Sequence, residues 1–262
     1  MPRWPDDAPG ALCLSFDNLG VDEASSAAAA LPRLLEALAE RELSATFFCE
    51  GVNAELAPDA LRKIDAAGHE VAYHAWLHEQ WGDLSAAGQA ENLARGVDAF
   101  GVLGVELSGL RPPGGQLGEG GATLLREAGL RYASPAGEGA GVEDGLALLP
   151  FAWRHVDATS MLPGLDPVRK QMTGSPAPID PDAFTTYLIK EIEGNEQAGG
   201  FISIVLHLPL LDWLSEKNLA TILNQLSSAG SWVARCDKLA DHVLASAELF
   251  DNATALDPTS WA

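Results

Sequence analysis

Along this chain, short apolar runs of strand length alternate with longer segments whose apolar residues recur every three to four positions. The first run, residues 11–16, ends on the turn-prone Asp17-Asn18-Leu19-Gly20. Residues 27–40 are rich in Ala and Leu at helical spacing, and 43–49 form a second strand-like run closing on Glu50-Gly51, which completes a β-α-β unit. The same pattern predicts helices over 58–67, 84–100, 122–128, 184–193, 214–228 and 239–249. It predicts strands over 70–73, 105–110, 131–134, 147–153, 201–206 and 231–235. The glycine-rich 137–145 reads as a surface loop, and the proline-rich 163–181 as a long irregular excursion. Hairpin signals are few and no internal repeat is evident. The expectation is an α/β fold with a parallel sheet or barrel, in one domain spanning 1–262.

Right-handed crossovers gather the C-terminal ends of parallel strands at one face. Five such ends carry polar side chains: Asp17, His74, Arg111, Asp157 and His207. The second brings a pair, because His78 follows His74 by four residues. A helical turn after Tyr73 would put both imidazoles on one face, aimed at a single metal ion or substrate. Alone, such a pair is a weak signal.

Composition narrows the partners. With 47% hydrophobic residues, 262 residues suffice for a full core. Lys and Arg number 16 against 37 Asp and Glu, a net charge of −21. That charge repels nucleic acid, anionic lipid and polyanionic polymers, and leaves a small-molecule or neutral sugar substrate as the expected partner. It also serves plain solubility. The oligomeric state is open at this level, a homo-oligomer included. No apolar run is long enough to cross a membrane, and the first residues show no secretory pattern. Cys13, Cys49 and Cys236 lie far apart in apolar surroundings and read as reduced core residues, so a cytoplasmic location is expected.

The motifs at the strand ends resemble those of the polysaccharide deacetylase (NodB homology) superfamily, carbohydrate esterase family 4. Where that family has Thr-Phe-Asp-Asp, this chain has Ser15-Phe16-Asp17-Asn18. Its His-Ser/Thr-x-x-His is met by His74-Ala75-Trp76-Leu77-His78, and its Arg-x-Pro-x-Gly by Arg111-Pro112-Pro113-Gly114-Gly115. Ile204-Val205-Leu206-His207 stands for Leu-x-x-His, and the likeness runs from Ala11 to about Leu244. The resemblance implies a distorted (β/α)7-type barrel. It implies Asp17 as general base, His207 as general acid to the leaving nitrogen, and Arg111 as the residue that orients the base, roles that suit amide hydrolysis. It also implies a divalent metal (Zn, Co or Ni) held by His74, His78 and the residue at 18, with Gly114, Trp76 and Asp157 beside the substrate.

The chain departs from that pattern in four places. Asn18 stands where the family has a metal-binding acid, and a neutral amide is a poorer donor, so the metal is expected to be weakly bound or absent. Asp22 or Glu23 would be the substitutes for the missing charge. Ala75 lacks the usual hydroxyl. Of the family's Asp-x-x-Asp-Trp only Asp157 is kept, with Ser160 at the second acid, and since that acid usually partners the catalytic histidine the charge state of His207 is left open. Gly114 replaces an aromatic, although its N–H can still serve an oxyanion. These features are similar in kind to the allantoinase and cyclic-imide hydrolase branch. The expected function is a cytoplasmic hydrolase of non-peptide C–N bonds, by N-deacetylation or by opening of a cyclic amide or imide. Two alternatives stand beside it: a catalytically silent ligand-binding or scaffold member, and an isomerase or lyase of secondary metabolism using Asp17 as a base on carbon.

Overall fold

Every residue of the first predicted strand is buried, as expected of a strand covered on both faces. The computed structural model describes residues 3–22, 27, 29–250 and 254–257. In chain order its strands are β1 (Ala11–Asp17), β2 (Thr46–Cys49), β3 (Glu70–Tyr73), β4 (Gly109–Leu110), β5 (Tyr132–Ala133), β6 (Gly137–Glu138), β7 (Gly141–Glu143), β8 (Leu146–Leu148), β9 (Phe201–His207), β10 (Trp232–Val233) and β11 (Ala255–Leu256). Its α-helices are α1 (Leu31–Ala39), α2 (Asn53–Leu56), α3 (Pro58–Ala66), α4 (Ala86–Val102), α5 (Gly121–Glu127), α6 (Asp166–Thr173), α7 (Pro181–Ala198), α8 (Leu211–Leu214), α9 (Glu216–Ser227) and α10 (Cys236–Ala245).

β1 is the hub of the sheet. β9 runs parallel to it along its whole length, from Ala11 opposite Phe201 to Asp17 opposite His207. β10 pairs with the first two residues of β1 and β2 with the last three, so those two share the other edge. From β2 the parallel order continues through β3, β4, β5 and β8, and β7 closes the far edge as an antiparallel hairpin partner of β8. β6 and β11 form a separate antiparallel pair. The main sheet is a mixed half-barrel with helices packed outside it, so the expected α/β barrel architecture is borne out.

Local chemistry explains the helix ends. α3 opens on Pro58, whose fixed φ suits a first helical position, and buries Ala60, Leu61 and Ile64. The Ser85 hydroxyl accepts from Gly88 N at 3.2 Å and caps α4. Asp180 does the same for α7, which stops at Gly199 in the left-handed region, where a side chain would be strained.

Four predicted segments differ from the structure. The 105–110 run contributes only the two residues of β4, and 147–153 ends as strand after Leu148. The 137–145 loop carries β6 and β7. The proline-rich excursion holds α6, because Pro167 falls in the first turn, where its missing N–H costs nothing. Buried Arg169 pins this excursion by donating to the carbonyls of Thr159, Leu162 and Pro176. The three cysteines are free and buried, with the Cys13 and Cys236 sulfurs 3.1 Å apart. Among the described residues no helix is long and apolar enough to cross a membrane.

Candidate active site

The pairing of β1 with β9 places Asp17 and His207 directly opposite each other at the same end of the sheet. A third residue reaches them through an isolated parallel bridge between Val156 and Val205, which brings Asp157 level with His207. Asp157 Oδ2 accepts from His207 N at 2.7 Å, and its Oδ1 takes the Nδ1 proton of the ring at 2.6 Å and a bond from Ala158 N at 2.6 Å. Burial disfavours the imidazolium, but the Asp157 carboxylate, helped by Asp17, outweighs burial and raises His207 above its ordinary value of 6.5. The protonated Nδ1 is committed to Asp157, so Nε2–H is the proton this ring can give away.

Arg111 fixes the other member of the pair. It is 1% exposed, yet its guanidinium is fully engaged. Nη1 donates to Asp17 Oδ1 at 2.5 Å and to Ser15 Oγ at 2.8 Å. Nε and Nη2 donate to Ser134 Oγ at 3.2 and 3.1 Å, and Nη2 also reaches Ser203 Oγ at 3.1 Å. The Phe48 ring lies 4.0 Å from the guanidinium carbon. Burial raises the Asp17 carboxyl above the ordinary carboxylate value, and Arg111 opposes that rise. Asp17 Oδ2 stays outside this pair, 3.9 Å from His74 Nε2.

The two histidines of the second motif meet without a helix. Ala75 and His78 both take left-handed φ values, 60° and 59°, and these turns bring the His74 and His78 rings to 4.9 Å between centroids. The predicted helical turn is therefore corrected. In the absence of a hydroxyl at Ala75, the loop is braced by Glu79, whose Oε2 accepts from Trp76 N at 3.0 Å and Leu77 N at 2.9 Å. A carbonyl can only accept, so His74 Nδ1 donates to Arg111 O at 2.8 Å and Nε2 keeps its lone pair. Burial, then the neighbouring imidazole, holds His74 well below its ordinary pKa, and burial lowers His78 too. Both rings therefore favour the neutral form. Asn18 sits at φ 64°, a conformation that Asn tolerates better than most side chains, and its buried Oδ1 has no hydrogen-bond partner. Two neutral imidazoles and an orphaned amide oxygen fit a borderline divalent cation in donor type, with no charge of their own to hold it. Among the described residues no three His, Cys, Asp or Glu side chains converge on one point.

Two expected substrate contacts are placed elsewhere. Asp157 is fully buried with both oxygens committed, so it stands behind His207 and not in a pocket wall, and the retained acid does the work expected of the one replaced by Ser160. Trp76 is 4% exposed: one face meets Gly51, where a Cβ would lie 2.5 Å from the ring, and the Arg95 guanidinium sits 3.5 Å from the ring centre. It packs. Gly114 takes φ 78° in the loop after Arg111, a value only glycine adopts freely. Glu23 lies outside the described residues. The cleft beside the pair is lined by Asn18, Glu50, Leu77, His78, Leu208 and Asp212. Sequence reasoning missed Ser134, Ser203 and Glu50. Only Glu50 left a trace, as a polar residue following a strand-like run.

Residues 6–133 match the polysaccharide deacetylase family. A polysaccharide deacetylase candidate from Mycobacterium smegmatis has the same fold at a TM-score of 0.77 and 26% identity, over 98% of this chain and 96% of that one. Over residues 6–133, just under half of its length, the chain is thus similar to the polysaccharide deacetylase family. This family of carbohydrate esterases hydrolyses C–N bonds by N-deacetylation, and its members typically depend on a metal. The chitooligosaccharide deacetylase of Sinorhizobium fredii is 43% identical over 60 residues, which are 23% of this chain and 26% of that protein, so the deacetylase-family match spans about a quarter of that relative's length. The PuuE allantoinase shares the fold at a TM-score of 0.73 and 18% identity, over 94% of this chain and 93% of that one.

Proposed function

We propose that this chain hydrolyses the C–N bond of a small amide, with an N-acetylated amino sugar as the substrate class and a cyclic amide or imide as the runner-up. The observation that carries the reading is the pairing across β1 and β9: Asp17, held by Arg111, faces His207, held by Asp157. Asp17 Oδ2 takes the proton of a water as that water adds to the carbonyl carbon, and His207 Nε2–H protonates the nitrogen as the C–N bond breaks, so amide and water become carboxylate and amine. Arg111 and Asp157 are positioning residues, since both are buried behind the groups they hold. A divalent cation, when bound, would be held by His74, His78 and Asn18, and would polarise the carbonyl and acidify the water.

The test is release of acetate from N-acetylated chito-oligosaccharides and ring opening of a cyclic-imide panel by the wild type, Asp17→Asn and His207→Ala. Each substitution should lower kcat/KM by roughly a hundredfold to ten-thousandfold. Turnover that survives both would exclude this acid–base pair. A wild-type chain that turns over no member of either panel, with or without added zinc or cobalt, would make it a silent, ligand-binding member, the reading that Asn18 favours.

A further inference from the structure

Glu50 follows β2, has no role in the chemistry above, and still reaches the same rim. It is 1% exposed. Its Oε2 accepts from Leu19 N at 3.0 Å, Gly20 N at 3.3 Å and Asn53 Nδ2 at 3.0 Å, which ties the end of β2 to the loop that follows Asn18. Its Oε1 accepts nothing, and neither does Asn18 Oδ1. An anchor for that loop needs one carboxylate oxygen. A second buried acceptor left unpaired is costly unless something else donates to it. Both residues line the cleft next to His78, whose remaining wall includes the apolar Leu77 and Leu208.

A cation would satisfy two orphaned oxygens, but the grouping is against it: among the described residues Glu50 does not join any two other His, Cys, Asp or Glu side chains in a set that could ligate one. A ligand that donates hydrogen bonds meets no such objection. We propose that Glu50 Oε1 forms a hydrogen-bond-accepting edge of the cleft, joined by Asn18 Oδ1 where no cation is bound, that selects a substrate by its donors, the hydroxyl and amide N–H groups of an N-acylated sugar unit. Glu50 is then a specificity-determining residue, and the inference rests on the deacetylase reading above. A cyclic imide, with a single N–H and no hydroxyl, would use this edge poorly.

Glu50→Gln keeps the shape of the side chain and an oxygen for Leu19 and Gly20, while its free edge turns from acceptor to donor. Binding of tetra-N-acetylchitotetraose is measured by titration calorimetry in an Asp17→Asn background, which removes turnover, with and without Glu50→Gln. Cobalt binding is titrated on the same proteins. The expected result is a Kd for the oligosaccharide weakened about tenfold to a hundredfold, as for one lost hydrogen bond to a charged group, at unchanged cobalt affinity. An unchanged oligosaccharide Kd overturns the inference, and so does a cobalt affinity that falls in step. If the Asp17→Asn protein binds no oligosaccharide at all, the sugar reading fails first and this inference with it. Should Glu50→Gln fail to fold, Glu50→Asp carries the same titration, because it keeps the charge and withdraws the free oxygen by one methylene.

Discussion

The two sides of the strand-end cluster differ in how completely their polar atoms are paired. On the side where β1 meets β9, the Arg111 guanidinium donates to four different side chains, and Asp157 takes three hydrogen bonds around His207. On the side of Asn18 and Glu50, two buried oxygens have no partner. The first arrangement is complete in the folded chain alone and holds its reacting groups in place before any ligand arrives, which is the form of electrostatic preorganisation that costs nothing at the moment of reaction. The second is finished only by something that enters the cleft. In the proposed reading, acid–base power and ligand selection are carried by different residues, so each should be alterable without the other.

The sharpest break of the paired side is Arg111→Met. It leaves the Asp17 carboxylate buried at 5% side-chain exposure with its strongest partner gone, and frees three serine hydroxyls. Removing one member of a buried pair costs about 3–5 kcal/mol. Urea unfolding should show a loss of that size at neutral pH, and a loss below about 1 kcal/mol, the value of a surface pair, would mean that Asp17 is not held as described.

A milder break is Asp157→Asn. His207 is raised above its ordinary 6.5 in the folded chain, so the stability this adds is complete below pH 6.5 and is lost as the pH climbs through the higher folded value. In the proposed reaction the same group is the acid, and the alkaline limb of kcat/KM would report it. With the carboxylate gone, burial acts without its main opponent, and that limb should move to lower pH. Activity should fall about tenfold for each unit by which the imidazole drops below the assay pH, while the acidic limb stays in place. A pH profile that keeps its shape and merely scales down would assign Asp157 to the fold alone.

Much of this was legible in the residues because parallel strands bury both faces and confine polar groups to their ends. Asp17, His74, Arg111 and His207 were each found as the polar residue that stops an apolar run. The family match over residues 6–133 bears out the resemblance read from the motifs there, and the half-barrel bears out the alternation. What was not legible depended on contacts distant in sequence or on unusual backbone. β6 and β7 have two and three residues, too few to show a period. Asp157 meets His207 through a single bridge between Val156 and Val205, which no local pattern announces. The His74 and His78 rings meet through left-handed residues, and nothing in the propensity of Ala75 foretells its φ of 60°. The orphaned oxygens of Glu50 and Asn18 are properties of their surroundings alone.

The smallest effect falls on the incomplete side and asks whether the amide at 18 is what limits cation binding. Asn18→Asp restores a charged oxygen at a position whose left-handed backbone aspartate also tolerates. Without metal it adds a buried charge with no hydrogen-bond donor, next to Asp17, so the variant should melt below the wild type. With zinc or cobalt present that charge gains a partner alongside the neutral His74 and His78, and the affinity should rise by about tenfold or more, the equivalent of ~1.4 kcal/mol. The two effects have opposite signs in one assay, thermal unfolding with and without the cation, which separates them from a general loss of packing. A variant that melts low and is not rescued by either metal would show that the two imidazoles do not point at the oxygen of residue 18, and the cleft would then be a substrate site with no cation in it.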